Sequence, residues 1–308
     1  MVTVHVERTT RRFGPRAALA AIAGRGLGSV PPPMLVLAGI VSVQIGAALA
    51  KTMFPIAGAI GVVTLRLCFA ALVLLVVWRP SLRMTRRAWL VVIAFGSVLG
   101  AMNAVFYEAI SRLPLGVTVT IEFLGPLAVA IGGSRRWRDV LWAVLAAGGV
   151  ALLTEGGSGS LSWIGLSFAL AAATLWACYI LLTAKLGEQT SGGGGLAIAM
   201  AVGGILILPF GVVESGPALV HPIALAAGLG VALLSSVVPY SVELEALRRI
   251  PPRVFGVLMS LEPAVAAVCG LVVLGQGLRP AQWIAICLVV GASVGATRTS
   301  AAPPAAEC

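Results

Sequence analysis

Charge is what this chain has least of. Asp, Glu, Lys and Arg together make up 10% of its 308 residues, while 59% are hydrophobic. A water-soluble domain carries about 25% charged residues, so a solvated surface cannot be built from this sequence. The mean hydropathy of +1.04 agrees. Histidine is nearly absent, and His5 and His221 lie far apart in polar connections, which argues against a metal site. The five cysteines are scattered, with no Cys-x-x-Cys pair; they read as small apolar packing residues, not as a disulfide framework. The sequence holds no Gly-x-x-x-x-Gly-Lys-Ser/Thr loop for a nucleotide phosphate, no His-Glu-x-x-His and no Gly-x-Ser-x-Gly. Neither an ATP motor nor these hydrolytic chemistries are encoded. No cofactor and no metal is expected.

What remains is an all-α membrane protein. A helix needs about 20 mostly apolar residues to cross the hydrocarbon core. Apolar runs between charge, Gly and Pro punctuation predict ten transmembrane helices, near 34–51, 56–78, 88–109, 115–133, 139–154, 161–183, 195–213, 223–241, 254–274 and 281–297. The connections are too short for a further soluble domain. Residues 1–33, Arg-rich and ending in "PPP", read as a disordered cytoplasmic tail, with an interfacial helix as the alternative, and 298–308 as a second tail. The "SGGGG" at 191–195 reads as a flexible connection. With the N-terminus inside, seventeen of the 21 Lys and Arg residues fall in cytoplasmic segments and three (Lys51, Arg112 and Arg279) in outer ones; Arg66 lies within a helix. Cytoplasmic loops of membrane proteins concentrate positive charge, so this bias orients the chain with both termini in the cytoplasm. The net charge of +10 thus reflects seating in the bilayer, not a nucleic-acid partner.

An internal repeat is present. "YEAISRLPLGVTVTIEFLGPLAVA" (107–130) lies over "LEALRRIPPRVFGVLMSLEPAVAA" (244–267) without gaps, with eight identities in 24 positions. Glu108/Glu245, Arg112/Arg249, Pro114/Pro251 and Pro126/Pro263 are in register, which oily composition alone does not produce. The duplicated units are 34–154 and 161–297, five helices each. Five is odd, so the second copy enters the membrane upside down. Inverted repeats are a signature of secondary transporters, whose halves exchange conformation to expose a midplane site to each side in turn.

The matched prolines have a local mechanism. Proline cannot donate to the carbonyl four residues earlier and pushes it aside, so Pro126 frees the Glu122 carbonyl and Pro263 that of Met259. In a bilayer such a carbonyl needs a partner helix, water or ligand. Both prolines are therefore candidate gating kinks, against the plainer reading of packing kinks.

Arg66, Glu122 and Glu262 lie within predicted helices. An ionised side chain there is costly, and such residues normally face a cavity and mark a pathway. On continuous helices the two acids, three residues apart in repeat register, project within roughly 60° of a common face. They are candidates for proton coupling or for holding a substrate ammonium. Arg66 could receive a carboxylate bidentately, and together with Glu122 it suits a zwitterion; a structural Arg66–Glu pair is the alternative. Asn103, Tyr107, Trp176 and Tyr179 are further deep candidates. Gln44, Ser236 and Tyr240 are weaker ones, and Lys51, at a helix end, reads as a snorkelling anchor.

Two strings carry a family resemblance. "VPYSVELEALRRIPPRVFGVLMSLEPAVAA" (238–267) and "GLSFALAAATLWACYILLTAKLG" (165–187) resemble the threonine/homoserine exporter branch of the drug/metabolite transporter superfamily, built of two EamA repeats. The resemblance covers 34 to about 297. It implies an inner-membrane exporter of small amino acids driven by proton antiport, with amino acid and lipid as its partners; a homodimer is compatible with it. Rival readings are a drug or other metabolite exporter of the same superfamily and, more remotely, a membrane enzyme acting on lipid-linked substrates. EamA repeats commonly carry Gly-Glu after the ninth helix, where this chain has Gly275-Gln276.

Overall fold

The computed structural model describes residues 30–132, 137–154, 162–189, 194–247 and 249–299. Most of the two expected tails and of the Gly-rich connection fall outside the described residues, but Pro32 and Pro33 at one end and Arg298 and Thr299 at the other belong to helices, which shortens both tails. Within them all regular structure is helical: α1 (Pro32–Thr52), α2 (Phe54–Trp78), α3 (Arg86–Arg112), α4 (Leu115–Glu122), α5 (Leu124–Gly132), α6 (Trp137–Thr154), α7 (Trp163–Gln189), α8 (Gly194–Ser215), α9 (Pro222–Ala232), α10 (Val238–Leu247), α11 (Pro252–Met259), α12 (Glu262–Leu274) and α13 (Pro280–Thr299). Eight helical segments among the described residues are long and apolar enough to cross a membrane, and two shorter apolar ones are Val140–Leu153 and Pro222–Val237.

Helix starts follow the local chemistry. Thr85 accepts from the Ala88 N–H to cap α3, and prolines stand in the first turns of α1, α2, α9, α11 and α12, where a missing N–H costs nothing. Three predicted spans are interrupted in mid-run, and a fourth, 56–78, near its start at Gly58. The span at 115–133 breaks at Phe123, between α4 and α5, and the span at 254–274 breaks at Ser260 and Leu261, between α11 and α12. Each break falls just before a proline of the matched pair, Pro126 or Pro263. The third interruption is a π-turn over Leu233–Val237, between α9 and α10.

The most extensive contacts between helices recur when the two halves are exchanged. As α3 packs on α7, α9 and α10 pack on α1. As α3 packs on α8, α9 packs on α2, and α4 and α5 meet α7 as α11 and α12 meet α1. The pairs α2–α8, α4–α12 and α6–α13 map onto themselves. Small residues permit the closest crossings: at α3–α8 a Cβ on Gly203 would stand 2.9 Å from the Gly96 carbonyl oxygen. Outward faces are apolar, with Ile205, Val213 and Val272 largely exposed.

Candidate functional site

Between the halves lies a cavity of about 250 Å³. Of the residues expected from sequence, Arg66, Asn103, Glu122, Trp176, Tyr179 and Glu262 line it together. Gln44, from the weaker group, lines it too, joined by Ser235, Pro239, Glu243 and Met259. Tyr107 stands behind the wall, fully buried. Ser236 is buried and does not line the cavity, and the Tyr240 side chain lies outside what is described.

Arg66 sits near the middle of α2, and its guanidinium is held by neutral groups. It donates to Tyr107 Oη and to the Ser235 carbonyl, each at 3.2 Å, and its Nε is buried without a partner. No ion pair reaches it among the described residues, so the expected alternative of a structural Arg66–Glu pair does not hold. The Ser235 carbonyl lies four residues before Pro239, which has no N–H to give it, within the π-turn between α9 and α10. Bonding to the fifth residue instead of the fourth leaves a carbonyl out of the ladder, and in a membrane that group must find a donor. Ser42 Oγ takes the Leu234 carbonyl at 2.7 Å and Arg66 takes the next one.

The acids come from the helix breaks. Glu122 is the last residue of α4 and Glu262 the first of α12, and both are about nine-tenths buried. The common-face argument from continuous helices is therefore corrected: both chains break between the two repeat positions, and it is the breaks that turn the acids into one cavity. Glu122 lies within electrostatic reach of Glu262 and Arg66, and Glu262 within reach of Glu243. Gln44 Nε2 donates to Glu262 Oε1 at 3.1 Å. Trp176 is braced edge-on by Phe123 at 5.4 Å, at the α4–α5 break, and Tyr179 stacks on Phe95 at 4.9 Å. Asn103 spends its amide on the Leu99 carbonyl, which leaves its oxygen as the group it can offer a ligand.

Sequence reasoning missed Glu243. The predicted eighth span ends at 241, whereas α10 runs on to Leu247 and carries this acid inside the bundle. The available signal was its spacing of four residues from Pro239, one turn away on the same face; both line the cavity.

One end of the cavity is sealed. Tyr107, Ile110, Leu113 and Leu115 are all fully or almost fully buried there. Lys51 Nζ donates to the Leu113 carbonyl at 2.8 Å, and the Leu115 N–H donates to Gln276 Oε1 at 3.0 Å. Lys51 is thus a strap between α1 and the α3–α4 corner, which corrects the snorkelling reading. Gln276 supplies a carbonyl oxygen that accepts at the start of α4, so this contact needs no charge.

Comparison with known proteins agrees with this architecture. Residues 163–298 match the EamA-like transporter family. The threonine/homoserine exporter RhtA of Salmonella typhimurium strain LT2 is 42% identical over 271 residues, covering 87% of this chain and 92% of the relative. Its Escherichia coli K12 namesake is 41% identical over the same shares. An uncharacterized transporter of Bacillus subtilis, YwfM, is 24% identical over 75% of this chain and 80% of its own. One solved crystal structure aligns with a TM-score of 0.62 at 17% identity, covering 87% of this chain and 97% of that one; this is a likeness of fold.

Proposed function

Because the chain belongs to the threonine/homoserine exporter branch of the drug/metabolite transporter superfamily, we propose that it exports small amino acids of the threonine and homoserine type by alternating access. The observation that carries this reading is the Arg66 guanidinium: beside a cavity, a cation whose hydrogen bonds go to neutral groups, with no ion pair among the described residues. It offers its remaining donors to a solute carboxylate, while the acids around it receive the ammonium and the coupling proton. Size points the same way. A volume of about 250 Å³ equals about eight water molecules at ~30 Å³ each, enough for the eight non-hydrogen atoms of threonine.

The proposed topology has ten spans in two inverted five-helix repeats, 34–154 and 161–297, in a bacterial inner membrane with both termini cytoplasmic. The exchange symmetry of helix pairing and the distribution of Lys and Arg support it. With that orientation the sealed end faces outward and the cavity loads from the cytoplasm, as export requires. Rocking of the halves at the α4–α5 and α11–α12 breaks then opens the outer side, driven by proton entry.

Proteoliposomes preloaded with labelled threonine test the proposal. Efflux should follow an imposed pH gradient and stop when it is collapsed. Gradient-independent efflux removes the antiport claim, and absence of threonine exchange removes the substrate.

A further inference from the structure

Three carboxylates, Glu122, Glu243 and Glu262, face this cavity against a single guanidinium. An acidic cluster alone does not make a site, but here the hydrogen bonds leave specific atoms open. A carboxylate accepts, so the Gln44 amide must point its nitrogen at Glu262, as it does at 3.1 Å. Two acceptors are then left, Gln44 Oε1 and Glu262 Oε2, both buried and without a donor. Gln44 is 1% exposed and Glu262 8%. Ser235 Oγ, on the same cavity, is also buried and unpartnered. Glu243 receives no hydrogen bond among the described residues. Its carboxylate lies over α1 at Gly39, where a Cβ would stand 3.2 Å from Oε1; α1 leaves room for the acid with its smallest residue.

We propose that Gln44, Glu243 and Glu262 form a subsite for a primary ammonium group, the amino pole of the transported solute. This deepens the export reading and rests on it for the identity of the solute, but not for the ammonium itself. The open atoms are acceptors, and an alkylammonium carries three donors and no acceptor. A proton on Glu262, donated to the oxygen of a turned Gln44 amide, would pair those two groups but leave Glu243 and Ser235 Oγ unserved. A water molecule could bridge them but would bring no charge to a cavity with three acids and one base. A bare divalent ion fits less well: among the described residues no three His, Cys, Asp or Glu side chains come close enough together to hold one. The assignment shifts the ammonium from Glu122, which the sequence paired with Arg66, to the α1–α10–α12 side, and leaves Glu122 for the coupling proton.

The test uses the purified full-length protein and two half-ligands. Threoninol has the ammonium and no carboxylate; 3-hydroxybutyrate has the carboxylate and no ammonium. Binding is read by ligand-induced thermal shift and by competition with labelled threonine. Glu243→Gln and Gln44→Leu should each weaken threoninol at least about tenfold, the scale of a lost charge-assisted hydrogen bond. Both should leave 3-hydroxybutyrate within about twofold, whereas Arg66→Ala should do the reverse. Should a variant fail to fold, the wild type decides alone: N-acetylthreonine, with no ammonium, should fail to compete where threoninol competes. Competition by N-acetylthreonine as strong as by threonine, or equal weakening of both half-ligands by Glu243→Gln, overturns the subsite. If wild-type vesicles do not move threonine but threoninol binding still depends on Glu243 and Gln44, the export reading falls and the subsite stands.

Discussion

Pro114 and Pro251, 137 residues apart, hold the same backbone conformation, φ −59°, ψ 143° and φ −59°, ψ 142°, each as the residue that opens a helix of eight residues. The likeness continues to the far end of those helices. Phe123 closes α4 at φ −65°, ψ −11°, and Ser260 closes α11 at φ −62°, ψ −12°. The matched sequence is therefore matched geometry: an extended proline, two turns of helix, a break and a restart. Such half-helices put chain ends at mid-depth, which is where a membrane site can draw on backbone and buried acids together.

The breaks should matter for turnover more than for binding. Pro126→Ala and Pro263→Ala would return an N–H to the Glu122 and Met259 carbonyls and let each helix run straight. Maximal exchange of threonine in proteoliposomes should fall by about tenfold in the double variant, with KM within about twofold. Unchanged maximal rates would reduce both prolines to packing kinks.

Arg66 should resist conservative replacement. A lysine ammonium cannot reach Tyr107 Oη, the Ser235 carbonyl and a carboxylate with one planar fork, so Arg66→Lys should raise KM at least about tenfold. Tyr107→Phe removes one neutral partner, a net bond of about 1 kcal/mol, and should raise KM by about fivefold. KM against turnover separates positioning from stability: a purely structural Tyr107 would lower the melting temperature and leave KM alone.

The expected helical segments, the matched prolines and the gathering of Arg66, Glu122 and Glu262 were all legible, because long apolar runs, proline chemistry and the cost of buried charge act locally or by composition. The rest was hidden by tertiary effects. Glu243 looked like loop because hydropathy falls at the end of its span, yet packing against α1 carries α10 one and a half turns further. Lys51 looked like an anchor because its acceptor, Leu113, is 62 residues away. The Ser235 carbonyl that holds Arg66 did carry a mark, Pro239 four residues on, but one outside the matched proline pair.

The sealed end should open when its straps are cut. Lys51→Met and Gln276→Leu each remove one hydrogen bond to the α3–α4 corner. At about 1 kcal/mol per bond, each should raise the population open at that end by about fivefold. The readout is labelling of Ile110→Cys, in a background without other cysteines, by a membrane-impermeant maleimide added from outside. No acceleration in either variant would show that the straps do not hold the gate.

Glu214 should prove to be a capping residue supplied from another helix. Gly58, in α2, has φ 63° and ψ 171°, a region almost reserved for glycine, and the chain restarts its helix directly afterwards. The two N–H groups exposed by that restart, Ala59 and Ile60, donate to the two Glu214 oxygens at 3.1 and 3.0 Å, and Ser215 Oγ fastens the Ala57 carbonyl at 2.6 Å. A carboxylate is the natural partner of a helix N-terminus. Gly58→Ala combines backbone strain of order 1–3 kcal/mol with a Cβ that would collide with the Glu214 carboxylate, so it should lower the melting temperature in detergent the most. Glu214→Ala should follow, losing about 1 kcal/mol per cap, and Glu214→Gln, which keeps one oxygen, should lose least. Tryptophan-fluorescence melts of the three variants give that order directly. A Glu214→Ala protein that melts with the wild type would mean that solvent or lipid headgroups serve those N–H groups equally well.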